Sequence, residues 1–265
     1  MKKKKFLCRA TLLSLACAAI TTTFMYSNSI TSYASSLLIA PAPVTTNDTS
    51  ILKSAIVKDQ TSKKIYKDSD GTTIAKYKYH KPVLSGDTAA IQKINDFYKN
   101  QRISQIKSFK ATAKYADKDF HTTDELFFDT TYNKNGYLSI HQTGYIYTGG
   151  AHGMPYYITH TFDLNTGNEI TLGDIFQLTD KEMTQKIARA YNKLFKNDTD
   201  EMYWDDALKT VKKTAGLSSP FYLTNKGVCL YYPPYHLSYY ARGFIEVTLH
   251  YSSNQAILKL TELSN

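Results

Sequence analysis

One stretch constrains the fold more than any other: Gly144 to Phe176, GYIYTGGAHGMPYYITHTFDLNTGNEITLGDIF. It reads as a strand over 138–147, a glycine-rich corner over 148–154, a second strand over 155–164, a tight turn and a short lead into a helix. Along the first strand Tyr137, Ser139, His141, Thr143, Tyr145 and Tyr147 point one way, and Leu138, Ile140 and Ile146 point inward. In the second, Tyr156, Ile158, His160, Phe162 and Leu164 share a face, so His160 is expected as a hydrogen-bonded core histidine. Gly149, Gly150 and Gly153 permit positive φ and a close backbone approach. His152 is the one titratable group at the corner, and its ring is expected to hydrogen-bond the loop closed.

The flanking segments repeat the same chemistry. Residues 51–67 and 72–84 are rich in β-branched and aromatic side chains and flank Asp68-Ser69-Asp70-Gly71, a hairpin signal. As a calcium loop that tetrad lacks the third acidic position and the bidentate Glu. Ala75-Lys76-Tyr77-Lys78-Tyr79-His80 alternates as a half-exposed strand with a lysine face. A helix follows, capped by Asp87, with Ile91, Ile94, Tyr98, Ile106, Phe109 and Ala113 in one stripe. Arg102 and Gln105 interrupt that stripe, which puts the middle of the helix at an edge. Residues 125–133 and 137–147 form a second hairpin about Asn133-Lys134-Asn135-Gly136.

Two further helices come next. Thr179-Asp180-Lys181-Glu182 is a capping box ahead of Met183, Ile187, Ala190, Tyr191 and Leu194. Asp200 or Thr199 caps the other, with Trp204, Leu208 and Val211 inward and Gly216 as its stop. Residues 221–224 and 228–232 form a hairpin over Asn225-Lys226-Gly227. Pro233-Pro234-Tyr235 then forces an extended loop, and residues 244–251 close the chain as a strand. Runs of strands separated by blocks of helices, without βαβ alternation, predict an α+β fold: antiparallel sheet(s) with helices packed on one face.

The GGAHG corner, the TFDLNTG turn, the LGDIF lead-in and the segment FYLTNKGVCLYYPPYHLSYYARGFIEVTLHY resemble the bacterial DUF3298 domain, the extracellular module of lysozyme-responsive anti-sigma factors. The hairpin and helix before it resemble the DUF4163 module that precedes DUF3298, including in certain peptidoglycan deacetylases. The resemblances imply a module over 51–135 and a DUF3298-like domain over 136–265, packed as one compact unit.

Residues 1–34 hold five basic side chains and no acidic one, followed by an apolar run and Ser32-Tyr33-Ala34. This is the order of a secretory signal cleaved after Ala34, or alternatively an uncleaved anchor. Ser14 stands where a lipobox wants leucine ahead of Cys17, which argues against a lipoprotein. Residues 35–50, with Pro41 and Pro43, read as a flexible linker. The remainder carries 27 basic and 23 acidic side chains, or +4. That excess is too mild for nucleic acid and has the same sign as a cationic lysozyme. Cys8 and Cys17 fall in the export segment, leaving Cys229 as a small buried hydrophobe.

A secreted or envelope-associated recognition domain follows from these features. Its 22 tyrosines cluster beside the glycine corner and the proline loop. Tyrosine offers a rigid ring with a polar tip, suited to sugars and protein partners alike. The candidate binding residues are Tyr147, Gly149, Gly150, His152, Pro233, Tyr235 and Tyr239; no cofactor, metal or catalytic residue is assigned. The resemblance implies a lysozyme-like muramidase, with Pro233 and Tyr235 at the contact, or peptidoglycan, as partner; a membrane enters only if the export segment stays uncleaved. With about nine residues before the apolar run, a transmembrane anti-sigma role is not expected. The competing classes are an accessory cell-wall hydrolase or deacetylase relative acting through His152 and Asp163, and a structural envelope protein. His152 and His160 have no known ligand spacing, and no GxSxG elbow occurs.

Overall fold

The turn residues set the hairpins. In the computed structural model, which describes residues 52–199 and 202–264, β1 (Val57–Lys67) and β2 (Thr73–Leu84) pair antiparallel about the expected tetrad. Asp68 Oδ1 accepts the backbone N–H of Asp70 and Thr72, and Gly71 takes φ +80°. β3 (Thr122–Lys134) and β4 (Tyr137–Tyr147) turn through Asn135 and Gly136, both at positive φ, as a two-residue hairpin with right-handed twist demands. β4 continues through the glycine corner into antiparallel β5 (Met154–Asp163). The five strands lie in sequence order.

One pairing differs from expectation. β2 and β3 run parallel, joined by α1 (Ala89–Ala113), so a βαβ unit sits inside an otherwise antiparallel sheet. A 25-residue helix spans about 37 Å, long enough to return the chain to the starting end of β2. Thr88, not Asp87, is the N-cap: its Oγ1 accepts the Ile91 N–H at 3.2 Å. Ile91, Ile94 and Tyr98 pack on Leu138, Ile140 and Phe162, and Phe109 on Tyr77, Tyr79 and Leu126. Arg102 and Gln105 are buried in that same interface, so the helix middle does not lie at an edge.

The rest of the chain forms a second layer pair. α2 (Leu172–Ile175) is followed by α3 (Asp180–Lys196), whose capping box at Thr179 and Glu182 is as read from sequence. α4 (Ala207–Thr214) starts after Asp206, so Trp204 precedes it, while Ala207 and Val211 fill the buried positions. β6 (Phe221–Leu223), β7 (Gly227–Tyr232) and β8 (Ile245–His250) make a three-stranded antiparallel sheet. Leu223, Val228, Leu230 and Ile245 meet Met183, Ile187, Tyr191 and Val211 of the helices. Helices thus cover one face of each sheet, giving the α+β architecture.

The two sheets meet through their other faces. Ser139 Oγ, fully buried on β4, accepts the Leu223 N–H of β6 at 2.9 Å and bonds Thr161 of β5 at 2.9 Å. His141 stacks on Tyr222 at 4.6 Å, Tyr157 on Phe244 at 3.4 Å, and the Thr159 and Tyr231 hydroxyls meet at 3.1 Å. Residues 52–265 group as one compact unit. Among the described residues no helix is long and apolar enough to cross a membrane. The export segment over 1–34 with Cys8 and Cys17, the linker over 35–50 and the proposed cap Asp200 lie outside the described residues.

Replacing Ser139 by Ala strips the Leu223 N–H of its acceptor in a buried interface. Urea unfolding of this variant is expected to show a loss of about 1–3 kcal/mol; a loss below about 0.5 kcal/mol would mean that the junction is held without this bond.

Candidate functional site

The glycine corner and the proline loop, 80 residues apart in sequence, meet at one surface. Gly149 and Gly150 take φ +92° and +97°, which turns the chain sharply after β4. A Cβ on Gly149 would stand 2.7 Å from the Phe120 ring. The Tyr147 hydroxyl donates to Gly150 O at 3.0 Å, and the Tyr145 hydroxyl accepts the Gly153 N–H at 2.9 Å. His152 projects from the tip. Its Nδ1 lies 2.9 Å from Gly153 O, and because a carbonyl only accepts, Nδ1 carries the proton and Nε2 is the acceptor of the neutral ring.

The opposite wall is a turn. Pro233 O accepts the His236 N–H, Pro234 sits at the first central position, and Tyr235 occupies the second at φ +69°. That is the glycine position of a type II turn, and a side chain there costs about 1 kcal/mol. The strained residue is also the one that reaches the corner: its hydroxyl donates to His152 Nε2 at 3.3 Å. Tyr240 stacks on the His152 ring at 4.1 Å and donates to Gly153 O at 3.0 Å. His152 therefore lies between two tyrosines. Tyr235 is nevertheless 51% exposed and Tyr239, whose ring meets Trp204 at 4.1 Å, is 52% exposed. Pro233 is half-buried and acts by opening the turn.

Two ring positions extend this surface beyond the residues singled out from sequence. Tyr145, 44% exposed, is paired across the sheet with Glu125, which makes Phe127 its diagonal neighbour on the same open face. Phe127 carries the His80 ring stacked at 4.8 Å and the Lys78 ammonium 5.4 Å from its centroid. Asp59 in turn holds His80 Nδ1 at 2.5 Å. Exposed Tyr235, Tyr145 and Phe127 are thus linked by two partly buried rings, Tyr240 beside the corner and His80 against Phe127. Strand alternation put Phe127 on that face in the sequence; nothing local told that the second sheet would leave it uncovered.

The other candidates are engaged separately. His160 Nδ1 donates to Glu169 at 2.6 Å and its Nε2 accepts from Gln101 at 3.2 Å, packed against Phe97. Asp163 caps its own turn through Asn165 and Thr166 N–H groups. His160 lies within β5, and His152 two residues before that strand begins, which puts them roughly 26 Å apart along extended backbone, so they share no site. Among the described residues no three His, Cys, Asp or Glu side chains converge as a metal centre requires, so a deacetylase-type zinc has no donor set there. Cys229 is buried, which pushes its thiol up. Two surface depressions, of about 640 and 560 Å³, lie elsewhere, beside Tyr137 and Lys259 and beside Tyr222 and His250.

A polar cluster that sequence reading missed lies between α1 and the first sheet. The Tyr79 and Tyr156 hydroxyls donate to opposite oxygens of buried Asp124, at 2.5 and 2.8 Å. The Tyr156 ring reaches it by lying across Gly144, where a Cβ would be 2.1 Å from the ring. Burial pushes the Asp124 carboxyl up to about 6, against the pull of both phenols and Arg102.

Comparison with known proteins fits this architecture. Residues 68–155 match the family described as "Deacetylase PdaC", and residues 173–252 the family described as "Protein of unknown function (DUF3298)". A DUF3298-family structure from Bacteroides fragilis aligns with a TM-score of 0.61 at 16% identity, covering 80% of this chain and 98% of its own. One from Pseudomonas aeruginosa aligns at 0.60 with 18% identity and the same coverages. At such identities these likenesses establish fold alone. No curated protein matches.

The raised carboxyl has a readable consequence. Because Asp124 holds its proton more tightly folded than unfolded, its contribution to stability is fully present below about pH 4 and is lost as pH rises through about 6. The stability of the wild type relative to Asp124→Asn, by denaturant unfolding, is expected to fall by roughly 2 kcal/mol between pH 4 and pH 7. A flat difference would show an ordinary carboxyl.

Proposed function

From a DUF3298 domain over 173–252 and a PdaC-like region before it, both pointing to a cell-envelope-related domain, we propose an exported, non-catalytic recognition module whose ligand is cell-wall glycan. The observation that carries this reading is the set of exposed rings that runs from Tyr235 on the proline loop to Tyr145 and Phe127 on the adjoining open sheet face. Sugar rings present flat C–H faces and peripheral hydroxyls, and tyrosine answers both with a rigid face and a hydrogen-bonding tip. Tyr145 and Phe127 stand about 7–8 Å apart as diagonal neighbours, so the surface is elongated and suits a polymer better than a single sugar. Its aromatics are fixed before binding by strands and by the His152 contacts, which limits the entropy lost on association.

A second reading, in which the partner is a muramidase, is supported by Tyr235 and Tyr239. Tyr235 projects from the Pro233–His236 turn and Tyr239 from the residue ahead of the short 3-10 turn over 240–242, and both rings are exposed as anchors of protein interfaces are.

Sedimentation of the full chain with peptidoglycan sacculi is expected to give saturable binding. Tyr145→Ala and Phe127→Ala should each weaken it about tenfold, near 1.4 kcal/mol. Tyr235→Gly should weaken it likewise with Tm changed by no more than about 3 °C, since glycine is at ease at that φ. Saturable binding to a muramidase but not to sacculi, lost in the same variants, would move the assignment to the second reading. Binding that all three variants leave unchanged, or peptidoglycan turnover abolished by His152→Ala, would overturn the proposal.

A further inference from the structure

Arg102 and Gln105 lie one turn apart on α1, facing the first sheet, at 6% and 5% exposure. Among the described residues neither finds a hydrogen-bond partner: Nε, Nη1 and Nη2 of Arg102 and both amide atoms of Gln105 are buried without a hydrogen bond. The guanidinium sits over the Tyr79 ring, its carbon 4.9 Å from the centroid, while the Tyr79 hydroxyl points away to Asp124. The nearest acids are already engaged, Asp124 by two phenols and Asp59 by His80. The remaining charge near Arg102 is positive: burial, and after it Arg102 and Lys99, lower the Lys81 ammonium. Burial likewise pulls the Arg102 guanidinium down to about 10.

A buried cation without an acceptor is among the least favourable arrangements a core can hold. Here a forked set of donors and an adjacent carboxamide are directed into one interface by helical spacing. A planar fork of N–H groups matches a carboxylate or phosphate edge in bidentate fashion, and the Gln105 amide supplies a third donor. We infer that Arg102 and Gln105, between α1 and β2, form a binding site for a small oxyanion, separate from the aromatic surface and independent of what that surface recognises.

The test is thermal unfolding of the full chain at fixed ionic strength and pH 7, with chloride replaced stepwise by acetate in one arm and inorganic phosphate in the other. A saturable rise in Tm of about 5 °C in at least one arm is expected, and the arm that responds tells carboxylate from phosphate. General salting effects grow without saturating. Arg102→Met should abolish the response and leave the anion-free Tm equal to or above that of the wild type. Should that variant not fold, Gln105→Glu, which sets a carboxylate beside the same guanidinium, should raise the anion-free Tm and remove the response. No saturable rise in either arm of the wild type, or a rise of equal size in either variant, would overturn the proposal.

Discussion

The contact on which the arrangement depends is the one between Ser139 and the Leu223 backbone. β6 is an edge strand of a three-stranded sheet, and an edge N–H facing the interior must find an acceptor. It finds one in a serine on the neighbouring sheet, itself held by Thr161. That bond, with the His141–Tyr222 and Tyr157–Phe244 stacks, fixes the second sheet over β4 and β5. Because three strands cannot cover five, β1, β2 and the first half of β3 keep an open face, while Tyr132 near the end of β3 is buried with the second layer. The exposed rings stand on that open face and along its border.

The same docking brings the proline loop to the glycine corner. Tyr235 accepts a left-handed backbone that glycine would occupy more easily, and the contact with His152 accompanies it. Strain at a residue that also makes the bridging contact is the pattern expected where geometry serves recognition rather than stability. The interior polar groups follow another logic. Asp124 is satisfied by two phenols, whereas Arg102 and Gln105 find no hydrogen-bond partner among the described residues. These are two polar environments between α1 and the first sheet, one closed and one open to a further partner.

Local chemistry made much of this legible. The Asp68–Gly71 and Asn135-Gly136 turns, the Thr179 capping box and the alternation of β4 and β5 each depend on neighbours within a few residues, and the structure has them as read. The helix caps moved by one residue at Thr88 and by several at Asp206, since several capping residues stood side by side. The parallel β2–β3 pair was hidden because strand direction depends on where a helix returns the chain, which no local pattern encodes. Arg102 and Gln105 were visible as breaks in an apolar stripe, but a break is compatible both with an exposed edge and with a polar site in the core.

By itself, then, the sequence determined which segments are strands, helices and turns, and which of their faces are apolar, because periodicity and turn chemistry are properties of adjacent residues. Only the tertiary structure decided that His152 lies between Tyr235 and Tyr240, that Phe127 stays uncovered, and that Arg102 is buried without an acceptor. Each of these depends on which elements pack together across 20 to 80 residues of chain, and such packing is fixed by the joint burial of many faces rather than by any one of them.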